Sequence, residues 1–113
     1  MEIRQTTIGN VSVVRLSGRF DSAAVPLFKK EVQVPGGDHS AKFVIDMAEV
    51  GYVDSGGLGS LVALLRQAKK NDGDVKISVI PAKIQYVFEL TKINRIFDIY
   101  DNTEVAISSF ASN

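Results

Sequence analysis

The 113-residue sequence contains no cysteine, which excludes disulfides, thiolate zinc sites and cysteine nucleophiles and fits a reducing compartment. It has no surplus of charge: 13 Lys and Arg balance 13 Asp and Glu, so no global field draws the chain to nucleic acid or anionic lipid. No Lys/Arg cluster stands out along the chain, and a nucleic-acid partner is not expected. Nowhere do about 18 consecutive apolar residues occur, the minimum for a membrane-spanning helix. The N-terminal MEIRQTTIGNVSVV is charged and polar where a signal peptide needs an apolar core. Membrane insertion is not expected, and the expected setting is cytoplasmic. Histidine is almost missing too. The single one, His39, follows Gly36-Gly37-Asp38 and reads as an exposed loop residue.

What is present suffices for a core. Hydrophobic residues make up 45% of a chain whose length suits one domain, expected to span residues 1–113. Met1 to Ile8 and Val11 to Ser17 read as strands joined by the hairpin signal Gly9-Asn10. In the second, Val11 and Val13 share one face and Val14 and Leu16 the other, a pattern for a strand partly covered on both sides. Gly18 to Ser22 is expected to stop that strand, with Asp21 or Ser22 capping a helix that carries Val25, Leu27, Phe28 and Val32. Pro26 is tolerable there because it falls in the first turn. The helix should end near Pro35-Gly36-Gly37.

Lys42 to Met47 reads as a short central strand leading through Ala48 to Val53. Leu58, Leu61, Val62, Leu65 and Ala68 then recur at the spacing of one buried helical face, which Asn71-Asp72-Gly73 ends. Leu64 and Ala63 fall off that stripe and are candidates for contact with a partner. Val75 to Ile80 and Phe97 to Tyr100 read as further strands, Ala82 to Leu90 and Thr103 to Phe110 as helices. Strands alternating with helices predict an α/β fold: a mixed, mostly parallel sheet of about five strands, packed with about four α-helices.

Most of the unusual chemistry lies in YVDSGGLGSLV, residues 52–62, where one serine stands between an aspartate and three nearby glycines. A hydrolase nucleophile elbow needs Gly-x-Ser-x-Gly, but Val53 precedes Ser55 by two and only Gly57 fits. Nor does His39, earlier in the chain, supply a base in hydrolase order. A nucleotide phosphate loop lacks its lysine, and the spacing of Gly56, Gly57 and Gly59 is not that of a dinucleotide fingerprint. The remaining reading is a switch serine. Ser55 at the helix N-cap would cap it unmodified, and a phosphate there would meet the positive end of the helix dipole. Glycines around it would let a partner's active site approach the backbone. Asp54 has two open roles, orienting the hydroxyl or a partner's metal, and Asp21 reads equally as a helix cap or as a contact. Asp46, late in an apolar strand, is read as exposed at the strand end.

Two segments carry a family resemblance. VIDMAEVGYVDSGGLGSLV, residues 44–62, resembles the signature of STAS domains, above all the bacterial anti-sigma-factor antagonists, and GRFD, residues 18–21, resembles their segment after the second strand. Length and element order agree, so the resemblance covers essentially the whole chain. It implies a STAS-type fold and a non-enzymatic substrate and binding module, with no cofactor, no metal and no catalytic residue of its own. Ser55 would be phosphorylated by a partner that is both anti-sigma factor and serine kinase of the histidine-kinase-like ATPase fold. A PP2C-type phosphatase would reset it. Asp21, Ser22, Asp54, Ser55, Gly56, Gly57, Leu58 and Gly59 are the implied partner-binding residues. The chain departs from many members at Gly56, where they carry a second serine. The rival reading is a non-phosphorylated STAS scaffold subunit of a lipid- or anion-transport assembly.

Overall fold

The computed structural model describes residues 1–34 and 41–112. His39 and the expected helix end at Pro35-Gly36-Gly37 lie outside the described residues. Five strands, β1 (Glu2–Ile8), β2 (Val11–Phe20), β3 (Lys42–Val53), β4 (Asp74–Ser78) and β5 (Asp98–Tyr100), form one sheet in the order β1-β2-β3-β4-β5. The first pair is antiparallel and the others are parallel. Four α-helices accompany them: α1 (Val25–Glu31), α2 (Ser55–Lys70), α3 (Ala82–Thr91) and α4 (Thr103–Ser109).

The order never reverses, and this places the helices. Crossovers between parallel strands are right-handed, so successive steps in one direction put α1, α2 and α3 on the same face. The main core agrees: Val14, Leu16, Phe43, Ile45, Met47 and Ile77 of the sheet pack with Phe28 of α1, Leu61 of α2 and Phe88 of α3. On the other face α4 covers Val11, Val13 and Val44 with Ala106 and Phe110. The two-sided pattern expected of β2 is therefore real.

Two strands run further than expected. Gly18 does not stop β2; it takes φ of +101° at a register shift, and pairing resumes through Arg19↔Tyr52 and Phe20↔Val53. Only glycine adopts that angle without strain, so the residue that looks like a terminator is a bulge. β3 likewise continues to Val53, because the lengthened β2 gives its last residues a partner. Both strands thus end together, one step before Asp21 and Asp54.

Along α2, Leu58, Leu61, Leu65 and Ala68 are buried as expected, and Val62 is half-buried. Leu64 is also buried, which corrects its assignment to a partner surface; α1 packs on α2 and widens the buried stripe beyond the arc facing the sheet. Ala63 stays exposed. Lys29 and Lys70 line one groove of about 730 Å³ between these helices, with no acidic side chain among its described lining residues. Local basicity is therefore present after all, invisible along the chain because its parts lie on separate helices. Asp46 is not simply exposed at a strand end. It accepts from Thr103 Oγ1 at 3.0 Å and from the Ala48 amide at 3.0 Å, and pairs with Arg15 at 3.4 Å.

Candidate functional site

The joint ending of β2 and β3 brings Asp21 and Ser22 beside Asp54 and Ser55. The central group is Asp54, not Ser55. Asp54 is the N-cap of α2, in extended conformation, and its Oδ1 accepts from the Gly57 amide at 3.0 Å. Its Oδ2 accepts from the Ser22 amide at 3.1 Å and from the Ser22 hydroxyl at 3.2 Å. One carboxylate thus caps the helix and fastens the loop after β2 to it. The Gly57 amide first, then the Ser22 amide, hold the Asp54 carboxyl below its ordinary value, with the Ser22 hydroxyl and the Gly56 amide adding to the effect and desolvation opposing it.

Ser55 is the first residue of α2, exposed, and no hydrogen bond among the described residues engages its hydroxyl. The expected serine cap is therefore corrected: an aspartate one position earlier accepts the amide, as a charged acceptor at a helix start does well. The two open roles of Asp54 narrow with it, since both oxygens are already occupied. An anion approaching this helix end meets a carboxylate that already holds the Gly57 amide. That argues against a phosphate-cradling loop and corrects the expectation of free amides waiting for a phosphate.

Asp21 is a cap: its Oδ1 accepts from the Ala24 amide at 3.2 Å, at the start of a 3₁₀ turn over Ser22–Ala24. Its Oδ2 pairs with Arg19 Nε at 3.3 Å, and the Arg19 guanidinium carbon stands 4.0 Å from the centroid of the Tyr52 ring. Arg19 and Tyr52 are site-edge residues that sequence reasoning missed. The signal was their equivalent place, each two positions before a loop aspartate.

The glycines divide. A Cβ on Gly57 would collide with the Phe20 carbonyl oxygen and stand 2.9 Å from its carbon, so this glycine lets the helix start press against the end of β2. On Gly56 it would meet the Ser22 hydroxyl, with Ser22 Cα at 2.9 Å. Gly59 alone of the three has open space around it. Gly57 and Leu58 are buried, so two implied contact residues act through packing; Asp21, Ser22, Asp54, Ser55, Gly56 and Gly59 retain exposed or part-exposed surface. Among the described residues no group of three or more His, Asp or Glu side chains is placed to hold a metal. No described helix is long and apolar enough to cross a membrane.

The anti-sigma-B factor antagonist of Bacillus subtilis is 29% identical over 91 residues, covering 80% of this chain and 83% of that protein. The protein of the same name from Staphylococcus aureus strain NCTC 8325 is 27% identical over 105 residues, covering 93% and 97%. In fold, the chain resembles the Thermotoga maritima protein TM1081, with a TM-score of 0.84, 22% identity and coverage of 100% and 91%. It also resembles the unphosphorylated anti-sigma factor antagonist SpoIIAA, with a TM-score of 0.73, 17% identity and coverage of 99% and 100%. The family model described as the STAS domain matches residues 2–106, nearly the whole chain from β1 into α4, and the chain belongs to the STAS domain family.

Proposed function

We propose that this chain is an anti-sigma-factor antagonist of a partner-switching pathway, a single cytoplasmic domain with no enzymatic activity of its own, and that Ser55 is its phosphoacceptor. The observation that supports this most is the Ser55 hydroxyl, exposed at a helix start and left without an internal partner while every neighbouring polar group is engaged. The names of its relatives point the same way. In the unphosphorylated form the chain binds an anti-sigma factor that is also a serine kinase of the histidine-kinase-like ATPase fold. The kinase phosphorylates Ser55 and releases the antagonist, and a PP2C-type phosphatase restores it.

The local electrostatics favour such a switch. A phosphate adds close to two negative charges, and here it would stand next to Asp54, whose carboxylate already occupies the Gly57 amide. Little of its charge would be absorbed internally, so a docked partner would meet most of it. A penalty of about 3 to 4 kcal/mol lowers affinity several hundredfold. A scaffold subunit has no need of an unengaged serine at this position, which favours the switch.

The purified chain should be incubated with ATP and lysate of its own organism, and phosphate mapped by mass spectrometry. Phosphate is expected on Ser55. Ser55→Ala should fold and bind the isolated kinase without accepting phosphate, and Ser55→Asp should bind weakly. Phosphate on Ser60 or a threonine in the Ala variant, with switching intact, would refute the assignment.

A further inference from the structure

Gly56 has no side chain, yet the space beside Ser55 is not empty. A Cβ built on Gly56 would meet the Ser22 hydroxyl, with Ser22 Cα at 2.9 Å and Cβ at 3.0 Å. The Ser22 hydroxyl therefore lies where a side chain at position 56 would lie, delivered from another segment of the chain. It is held there: Oγ donates to Asp54 Oδ2 at 3.2 Å, and the Ser22 amide donates to the same oxygen at 3.1 Å. Ser22 is exposed, so the hydroxyl keeps its acceptor capacity for an outside donor. Both residues border a shallow depression with Val25, Lys29 and Gly59, next to the serine that opens α2.

We propose that Ser22 is a specificity-determining residue of the Ser55 site, its hydroxyl filling the side-chain position left vacant by Gly56 and serving as the polar group a kinase reads next to the phosphoacceptor. This rests on Ser55 being the acceptor. In the transfer itself, Ser55 Oγ forms a bond to the γ-phosphorus of a nucleoside triphosphate bound by the kinase. The bond from that phosphorus to the diphosphate leaving group breaks, and the serine proton passes to a base on the kinase. Ser22 takes no part in this chemistry. It sets which partner surface fits.

A second consequence is steric. Because Ser22 and Gly56 compete for one space, a side chain at 56 requires Ser22 to shrink, and the two positions should behave as a coupled pair.

The test uses the intact chain, ATP and the Ser55-phosphorylating activity of the organism's lysate, with initial rates measured against substrate concentration. Ser22→Ala keeps the amide bond to Asp54 and should melt close to wild type, while Ser55 phosphorylation efficiency falls about tenfold through a higher KM, the size of one lost interface hydrogen bond. Gly56→Ser should lose both stability and phosphorylation. Ser22→Gly/Gly56→Ser, which returns a hydroxyl to the same place from the other segment, should recover most of both. Wild-type kinetics for Ser22→Ala, or a double variant no better than Gly56→Ser, would overturn the inference and leave Ser55 standing. A wild-type chain that takes no phosphate on Ser55 would overturn the proposed function and this inference with it.

Discussion

The same substitution two residues apart in one helix should have opposite effects. Gly57 and Gly59 both lie in the early turns of α2, where alanine is ordinarily favoured over glycine by about 1 kcal/mol. At Gly59 a Cβ meets nothing within 4 Å, so Gly59→Ala should realise most of that gain, about 0.5 to 1 kcal/mol. At Gly57 the Cβ collides with the Phe20 carbonyl oxygen and stands 3.2 Å from the Phe20 ring carbon Cγ. Neither neighbour yields easily, because Phe20 is fully buried and its backbone is paired with β3. Overpacking of this kind costs about 1 to 3 kcal/mol or more, which exceeds the propensity gain, so Gly57→Ala should be less stable than wild type by roughly 1 to 2 kcal/mol. Urea denaturation followed by circular dichroism reads both, with unchanged m-values showing that stability alone has moved. A Gly57→Ala chain as stable as wild type would refute the packing of the helix start on β2; a destabilised Gly59→Ala would refute the open space beside Ser55. Gly59 also lies one turn below Ser55 on the same helix face, so the stabilised Gly59→Ala chain should bind its kinase less well.

Asp54 ties stability to pH. Its folded-state pKa is depressed, led by the Gly57 amide, so its contribution is complete above the ordinary aspartate value and is lost as pH falls through the lower folded value. Asp54→Asn should therefore be less stable than wild type at neutral pH, and the gap should close in acid; denaturant titrations from pH 7 to pH 2 would show a constant gap if the carboxylate did not cap α2. On the other face, Asp46→Ala removes the acceptor of the Thr103 hydroxyl, and amide hydrogen exchange over residues 103–109 should quicken while α2 keeps its protection. In the core, Leu61 is fully buried, and Leu61→Ala should cost about 2 to 5 kcal/mol by urea denaturation.

The element order was legible because each segment carries its own period: alternation in β2, threes and fours in α2, turn signals at Gly9-Asn10 and Asn71-Asp72-Gly73. The site was legible as a location, since Asp54 and Ser55 stand together in an unusual glycine setting. The roles within it were not. Sequence cannot tell which of two adjacent capping residues turns its side chain inward; that depends on Ser22, 32 positions earlier, which fixes the Asp54 carboxylate. Nor can it tell a glycine needed for close packing from one left open, because the deciding neighbours of Gly56 and Gly57 are Ser22 and Phe20. Gly18 misled for a related reason: a glycine bulge and a glycine stop look alike until the partner strand is known.

The unreversed strand order also bears on how the chain reaches its fold. Each strand pairs with its neighbours in sequence, so no strand has to be inserted between two already joined. The hairpin of β1 and β2 closes over the turn at Gly9-Asn10 alone, and each later strand adds to the growing edge after one helix. Loop-closure entropy is then lost in small steps, and contacts stay short in sequence, the condition that favours rapid folding. By Ser78, the end of β4, four of the five strands are present, and a nascent chain emerging from the ribosome could assemble the switch end before its last third was made.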